Sequence, residues 1–282
     1  MNIVPPARQF WSLVLFMVVG VAAAASAQAG LVVEQVRYKM GSNDIESSRI
    51  YISRNKLRFD ENDGKLVTVF DLDKGNMLQI DSTRKVYVRA TPKEYADFFK
   101  SLRERIARQM KEQLENLPPE QREQMKAMMR SQGITPPDEE AKPVKLTVKD
   151  TGVKEKVSGF ATRKYAVYRD GRLDEELWIT TDKMFTSEFD TSKLARYMKE
   201  LQKISAGAGP AQEVVGEEEY VRLIYGNGFP LKVVDHGMFN TVHVEEVKSV
   251  VKKKLSSSLF APPPGYKQVK LDVFLMGLGK GR

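Results

Sequence analysis

The chain has 282 residues, a formal net charge of +8 and no cysteine. Without cysteine there is no disulfide framework, no thiolate metal site and no lipidated cysteine at a mature N-terminus. A chain of this length buries enough apolar surface to fold without such staples.

The first residues address the compartment. Arg8 is the sole charge before the run FWSLVLFMVVGVAAA, and Ala27-Gln28-Ala29 has a small-x-small form. A basic start, a short apolar core and a small-residue exit read as a secretory signal peptide, residues 1–29, cleaved after Ala29. The alternative is an uncleaved anchor, but the run is short against the ~20 apolar residues of a spanning helix. No later stretch is long and apolar enough to span a bilayer. The expected location is therefore the periplasm of a Gram-negative bacterium, without a lipid anchor. There the basic balance points to anionic surfaces, acidic partners or solubility rather than nucleic acid.

From Leu31 to Arg89 short strand-like segments follow one another. Val32, Val36, Tyr38 and Met40 share one parity, and Lys56-Leu57-Arg58-Phe59 alternates. Leu66 to Leu72 is apolar on both parities, which predicts a strand covered on both faces. The breaks GSND, ENDG, DKGN and DSTR are rich in turn formers, so hairpins and an antiparallel meander are expected.

A helical insert follows over 92–132. Thr91-Pro92 offers a cap and a first-turn proline. Tyr95, Phe98, Phe99, Leu102, Ile106, Met110, Leu114 and Leu117 recur at steps of three or four, the period of one helix face. Pro118-Pro119 breaks the helix and starts a second one carrying Met125, Met128 and Met129. The spacing predicts a helical hairpin with Leu114, Leu117 and the three methionines facing the sheet. Arg122 and Lys126 are expected to face water.

Strands return at Val144–Val148, Val153–Val157, Arg163–Tyr168 and Leu173–Thr180. Asp190 is placed to cap a helix carrying Leu194, Tyr197, Met198, Leu201 and Ile204. A short helix over Glu217–Tyr225 ends at Gly226-Asn227-Gly228. Phe229–Val234 and Thr241–Leu255 read as closing strands, with a phase slip at Glu245-Glu246 that predicts a β-bulge. SLFAPPPGYKQV reads as extended, and 271–282 as a tail. The fold class is α+β: a strongly curved antiparallel sheet of about ten strands, an incomplete barrel covered by helices, forming one domain over 30–270.

Catalytic patterns are missing from the sequence. There is no GxSxG elbow, P-loop or dinucleotide fingerprint. His236 and His243 are the two histidines, short of the three or four ligands of a zinc site. Asp71–Asn76 begins like a calcium loop but has Gly75, Asn76 and Ser82 where ligands or the sharp-turn glycine belong. Glu175-Glu176 and Glu245-Glu246 are neighbours on strands and point to opposite faces. Neither a cofactor nor catalysis is expected. The aromatic residues have two readings. They fill an ordinary core, or some line a cavity between sheet and helices, as apolar ligands require. The cavity candidates are Tyr51, Phe59, Tyr87, Phe98, Phe99, Leu102, Met125, Met128, Met129 and Trp178.

The motifs also occur in a telling order. RIYISRNKLRFD (Arg49–Asp60), KVYV (Lys85–Val88) and the helical LPPEQREQM come first. VSGFATRKYAVYRDG (Val157–Gly171), ELWIT (Glu176–Thr180), GNGFPLKV (Gly226–Val233) and SLFAPPPGY (Ser258–Tyr266) follow. This order resembles a family of bacterial periplasmic proteins catalogued as a domain of unknown function. It is similar, more distantly, to the lipoprotein-carrier superfamily of LolA and LolB. The resemblance implies a curved, incompletely closed antiparallel barrel with an apolar cavity, ligands with acyl chains, no cofactor and no catalysis. It carries over no named binding residue. The expected function is thus a non-enzymatic carrier for a lipid, an acyl chain or a lipidated protein. The alternative is an envelope protein–protein interaction or sensor module, using the charged hairpin face of Arg103, Arg105, Arg108 and Lys111.

Overall fold

The computed structural model describes residues 27–61, 64–131, 135–139, 143–205, 214–237 and 241–278. Most of the segment read as a signal peptide, 1–26, lies outside the described residues. The first strand begins at Ala27, within that segment.

Strands β1 (Ala27–Lys39), β2 (Ile45–Ser53), β3 (Lys56–Glu61), β4 (Leu66–Asp71), β5 (Asn76–Asp81) and β6 (Val86–Ala90) form the expected meander. Helices α1 (Pro92–Glu115) and α2 (Pro119–Ser131) make the hairpin. Then come β7 (Val144–Val157), β8 (Phe160–Arg169), β9 (Arg172–Thr180), α3 (Lys183–Thr186), α4 (Thr191–Ser205), β10 (Val214–Val215), α5 (Glu217–Ile224), β11 (Phe229–Asp235), β12 (His243–Ser256), β13 (Lys267–Gln268) and α6 (Leu271–Leu278). All the strands join one 13-stranded sheet in the order β10-β7-β8-β9-β11-β12-β1-β2-β3-β4-β5-β6-β13.

The class is α+β and the sheet is open, not closed into a barrel. It has more strands than expected because two-residue β10 and β13 add parallel pairs at the two ends. The two segments expected at 144–148 and 153–157 are one strand, with a register shift between Asp150 and Lys154. A bulge does interrupt β12, but at Lys248: Glu34 pairs with Ser249 and Gln35 with Val247, leaving Lys248 without a partner in β1.

Side-chain alternation explains the two-sided burial of β4. Phe70 joins Ile50, Leu57 and Phe59 on the face covered by α4, where its ring lies 5.3 Å from Tyr197. Val67 and Val69 point the other way with Leu78 and Ile80, under Leu259, Phe260 and Tyr266. The proline-rich segment is therefore a cover for the second face. Arg58 Nη1 fastens it by donating to the Leu259 carbonyl at 2.6 Å.

Thr91 and Glu94 form a capping box at the start of α1. Tyr95 is buried and donates to Gln79 Oε1 at 2.6 Å, docking the first turns on β5. Phe99 packs near Met77, Ala90 and Leu201 of α4. Farther along, Ile106 is 40% exposed. The hairpin differs from its expected orientation. Leu114 and Met129 are buried, but Met125 and Met128 are 40% and 49% exposed. Arg122 turns inward and donates to the carbonyls of Leu114, Glu115 and Leu117. Lys126 also turns in, paired with Asp138 at 2.6 Å and Glu123 at 3.3 Å. Cations can occupy the inner side of a helix when acceptors wait there, which apolar periodicity does not show.

Asp190 caps α4 through the amides of Ser192 and Lys193. The stretch read as a tail forms α6 up to Leu278. Phe274 is fully buried, and its carbonyl accepts from Arg84 Nη2 at 2.9 Å. Among the described residues no helix is long and apolar enough to cross a membrane, which says nothing about crossing by strands.

Candidate functional site

A groove of about 850 Å³ opens between the sheet and α4. Its apolar floor includes Ile50, Leu57, Phe59 and Phe70, with Phe229 and Leu231 from β11. Leu194 and Met198 of α4 overhang it, Tyr225 closes one side, and Ile45 stands at the mouth. Stacking holds the β11 end: the Phe185 and Phe229 rings lie 5.0 Å apart at 11°. Phe59 and Phe70 meet at 5.2 Å.

The rim is charged, and strand register sets which charges look inward. Arg37 pairs across to Glu245 on one side and Glu46 on the other. Cross-strand partners share a face, so these three stand on the floor's side with Gln35, Ser48 and Glu61. Arg37 Nε lies 3.4 Å from Glu245 Oε1. Arg49, Asp60 and Glu246 border the groove through neighbouring positions but point to the other face. There Arg49 meets Glu34 at 3.3 Å, Asp60 meets Arg58 at 2.6 Å, and Glu246 meets Lys248 at 3.0 Å.

Ionisation follows this geometry. Glu61 is open to solvent, yet the surrounding walls displace enough water to raise its pKa; Arg37 opposes the rise and Glu245 adds to it. The Tyr225 hydroxyl is pushed up to about 12, by burial first, and the Glu175 charge reinforces the shift. Behind Tyr225, Glu175 is raised by burial even though Tyr220 donates to it at 3.0 Å.

A second polar cluster occupies the opposite face of β9. Lys164 and Lys232 place their ammonium groups 4.8 and 4.6 Å from the centroid of the Trp178 ring. Glu176 lies 2.5 Å from Lys164 and 3.0 Å from His236 Nε2. Burial works against its ionisation, but these two hydrogen bonds prevail and lower its pKa. Glu175 and Glu176 thus do separate work on separate faces. Among the described residues no three His, Cys, Asp or Glu side chains gather as metal ligands. Asp71–Asn76 is the β4–β5 turn, with Asp71 Oδ1 accepting from the Lys74 amide at 3.0 Å.

The ten cavity candidates do not converge. Phe59 lines the groove. Tyr51 and Tyr87 belong to the opposite face, packed with Leu259 and Tyr266. Trp178 lies between its two lysines. Phe98 and Phe99 meet each other edge to face at 5.3 Å on α1. Leu102 is half-buried farther along that helix, Met129 is buried in the hairpin, and Met125 and Met128 are exposed. The cover over the groove is α4 rather than the hairpin. Ile50, Phe70, Phe229, Leu231, Met198 and Tyr225 lie outside the ten candidates; Phe229 and Leu231 reach the groove only through the pairings of β1 with β12 and of β12 with β11, over long sequence distances.

Fold and site together define an α+β protein with an open, largely antiparallel sheet and a solvent-connected, apolar-floored groove. The chain belongs to the family described as Domain of unknown function (DUF4412), which matches residues 106–266, more than half of it. This is the kind of family to which the motif order pointed. No curated protein matches. Among solved structures 43 chains match. PNGF-II has a TM-score of 0.44 at 12% identity, over 90% of this chain and 34% of that one. An uncharacterized conserved protein from Thermus thermophilus has a TM-score of 0.38 at 10% identity, over 86% and 90%. A chain of the Pseudomonas aeruginosa MucA/MucB complex has 0.35 at 10%, over 86% and 59%. This chain thus spans about a third of the PNGF-II chain it matches. At such scores these are similarities and nothing more.

Proposed function

We propose that this is a non-enzymatic periplasmic binding protein whose groove takes the apolar chain of a lipid or of a lipidated partner. The groove carries the reading. Its volume of about 850 Å³ falls in the ~300–1,000 Å³ range of small-molecule sites. Its floor is aromatic and aliphatic, and its mouth is polar, the order in which an acyl chain and its head group are arranged. The signal-like N-terminus supports the compartment.

The test is native mass spectrometry of protein recovered from periplasm, with displacement of a fluorescent probe carried on an uncharged alkyl chain. Acyl-chain adducts and saturable displacement are expected. Met198→Trp, which fills the groove from α4, should weaken the probe roughly tenfold while circular dichroism stays unchanged. Absence of both adducts and probe binding would sink the reading.

One observation favours a second reading, a docking module. Ile106, Met125 and Met128 are exposed on a densely charged hairpin. Charge reversal at Arg105, Arg108 and Lys111 should then abolish capture of an envelope protein and leave probe binding intact.

A further inference from the structure

The charges that border the groove are distributed unequally between its two faces. On the face away from the groove Arg49 pairs with Glu34, Asp60 with Arg58 and Glu246 with Lys248, while Lys232, the cross-strand partner of Glu246, lies over the Trp178 ring. On the groove side, the lining carboxylates Glu46, Glu61 and Glu245 face one guanidinium, Arg37. Arg37 is engaged by Glu245 at 3.4 Å. Three acids against one base leave two negative charges at the mouth of an apolar groove, in a chain whose net charge is +8. The local sign is thus opposite to that of the whole molecule.

We infer that the groove selects amphiphiles with a cationic head, an ammonium or guanidinium group on an apolar body. The cation lies among Glu46, Glu61 and Glu245, and the chain lies along Phe59, Phe70 and Leu231. This rests on the groove being a ligand site, as proposed above, and adds the chemistry of the head group. An anionic head, such as a free carboxylate, would meet two uncompensated like charges, while a cation completes the pairing that Arg37 leaves unfinished. Burial of a cation beside several carboxylates also offsets the desolvation that the groove walls impose on Glu61.

The experiment is isothermal titration of the whole protein with three twelve-carbon probes below their micelle concentrations: dodecylammonium, dodecanoate and the neutral dodecyl maltoside. Dodecylammonium should bind at least about tenfold more tightly than dodecanoate at neutral pH, with the neutral probe between them. The Glu61→Gln/Glu245→Gln double variant should erase most of that difference, and Arg37→Gln should widen it. Dodecanoate binding as tightly as dodecylammonium, or a preference unchanged in the double variant, overturns the inference and leaves the groove a lipid site. Failure of all three probes overturns the ligand site itself. Equally tight binding of a lysine-rich peptide without an alkyl chain overturns the amphiphile class.

Discussion

The Arg122 side chain of α2 donates through Nε to the main-chain carbonyl of Leu114 at 2.9 Å, near the C-terminus of α1. Its Nη2 reaches the carbonyls of Glu115 and Leu117 at 3.0 and 3.2 Å. The last carbonyls of a helix have no partner within it and carry its negative dipole end. No basic residue lies in the last turn of α1 itself, so the cap comes from the next helix. The double proline sets the corner, and Arg122 locks it.

Arg122→Ala should therefore loosen the hairpin more than its partial exposure implies, by about 1–3 kcal/mol for charge-assisted bonds to carbonyls. Hydrogen exchange should show faster exchange over α2 and the last turns of α1, with the sheet unaffected. Lysine at this position restores the charge but not the planar, multi-carbonyl geometry, so Arg122→Lys should recover only part of the loss.

Local chemistry was legible in the sequence; long-range pairing was not. The Thr91 cap with Pro92, the Pro118-Pro119 corner and the Asp190 cap each lie within a few residues. The apolar character of β4 on both parities correctly required two covers. The identity of the covers did not follow, because the proline-rich segment reaches Arg58 across 201 positions. The hairpin misled for a different reason. Arg122, Lys126 and Met129 share one stripe of α2, and that stripe turns inward because main-chain carbonyls and Asp138 receive the two cations. The groove's rim was invisible because Arg37 and Glu245 become neighbours only through the pairing of β1 with β12.

Gly228 tests how tightly the groove's β11 end is set. A Cβ at this position would stand 2.1 Å from the Thr180 carbonyl oxygen and 3.0 Å from Ile179 Cγ2. The first contact is with backbone, which cannot rotate away. Gly228→Ala should cost about 1–3 kcal/mol in urea denaturation, the range for overpacking. It should also weaken alkyl-probe binding, because Phe229 follows directly and lines the groove. Unaltered stability would mean that β9 and β11 separate there at little cost.

Asp81 supplies an acid-dependent contribution. It is buried, which alone would raise its pKa, but hydrogen bonds from Thr83 and Arg84 prevail and hold it at about 2. Arg84 Nε lies 2.6 Å from Asp81 Oδ2 and also reaches the Phe274 carbonyl, so the carboxylate supports the docking of α6. The folded pKa is below the ~3.9 of a free aspartate, so the contribution is complete above that value and is lost as pH falls toward the folded one. Asp81→Asn should lower the melting temperature at neutral pH, and its difference from the parent should shrink through that acid window. A difference independent of pH would show that packing, not ionisation, sets the role of Asp81.

Glu175 has the opposite sign. Burial is the main cause of its raised pKa; Asp174 and Asp235 add like charge, and the Tyr220 hydrogen bond only partly offsets them. A carboxyl whose folded pKa exceeds its unfolded one binds its proton more tightly in the folded state. Stability is therefore lost as pH rises from the unfolded value of ~4.3 through the raised folded one. Glu175→Gln keeps an oxygen to accept from Tyr220 and removes the charge. It should raise the melting temperature at neutral pH, and the advantage should fade below the ordinary carboxylate range, where both proteins are neutral at this site. Glu175 stands behind Tyr225, whose own pKa its charge helps to raise. The substitution should therefore also lower the titration midpoint of Tyr225, read by ultraviolet difference spectroscopy. A stabilised variant with an unmoved tyrosine titration would separate the burial of Glu175 from any electrostatic reach into the groove.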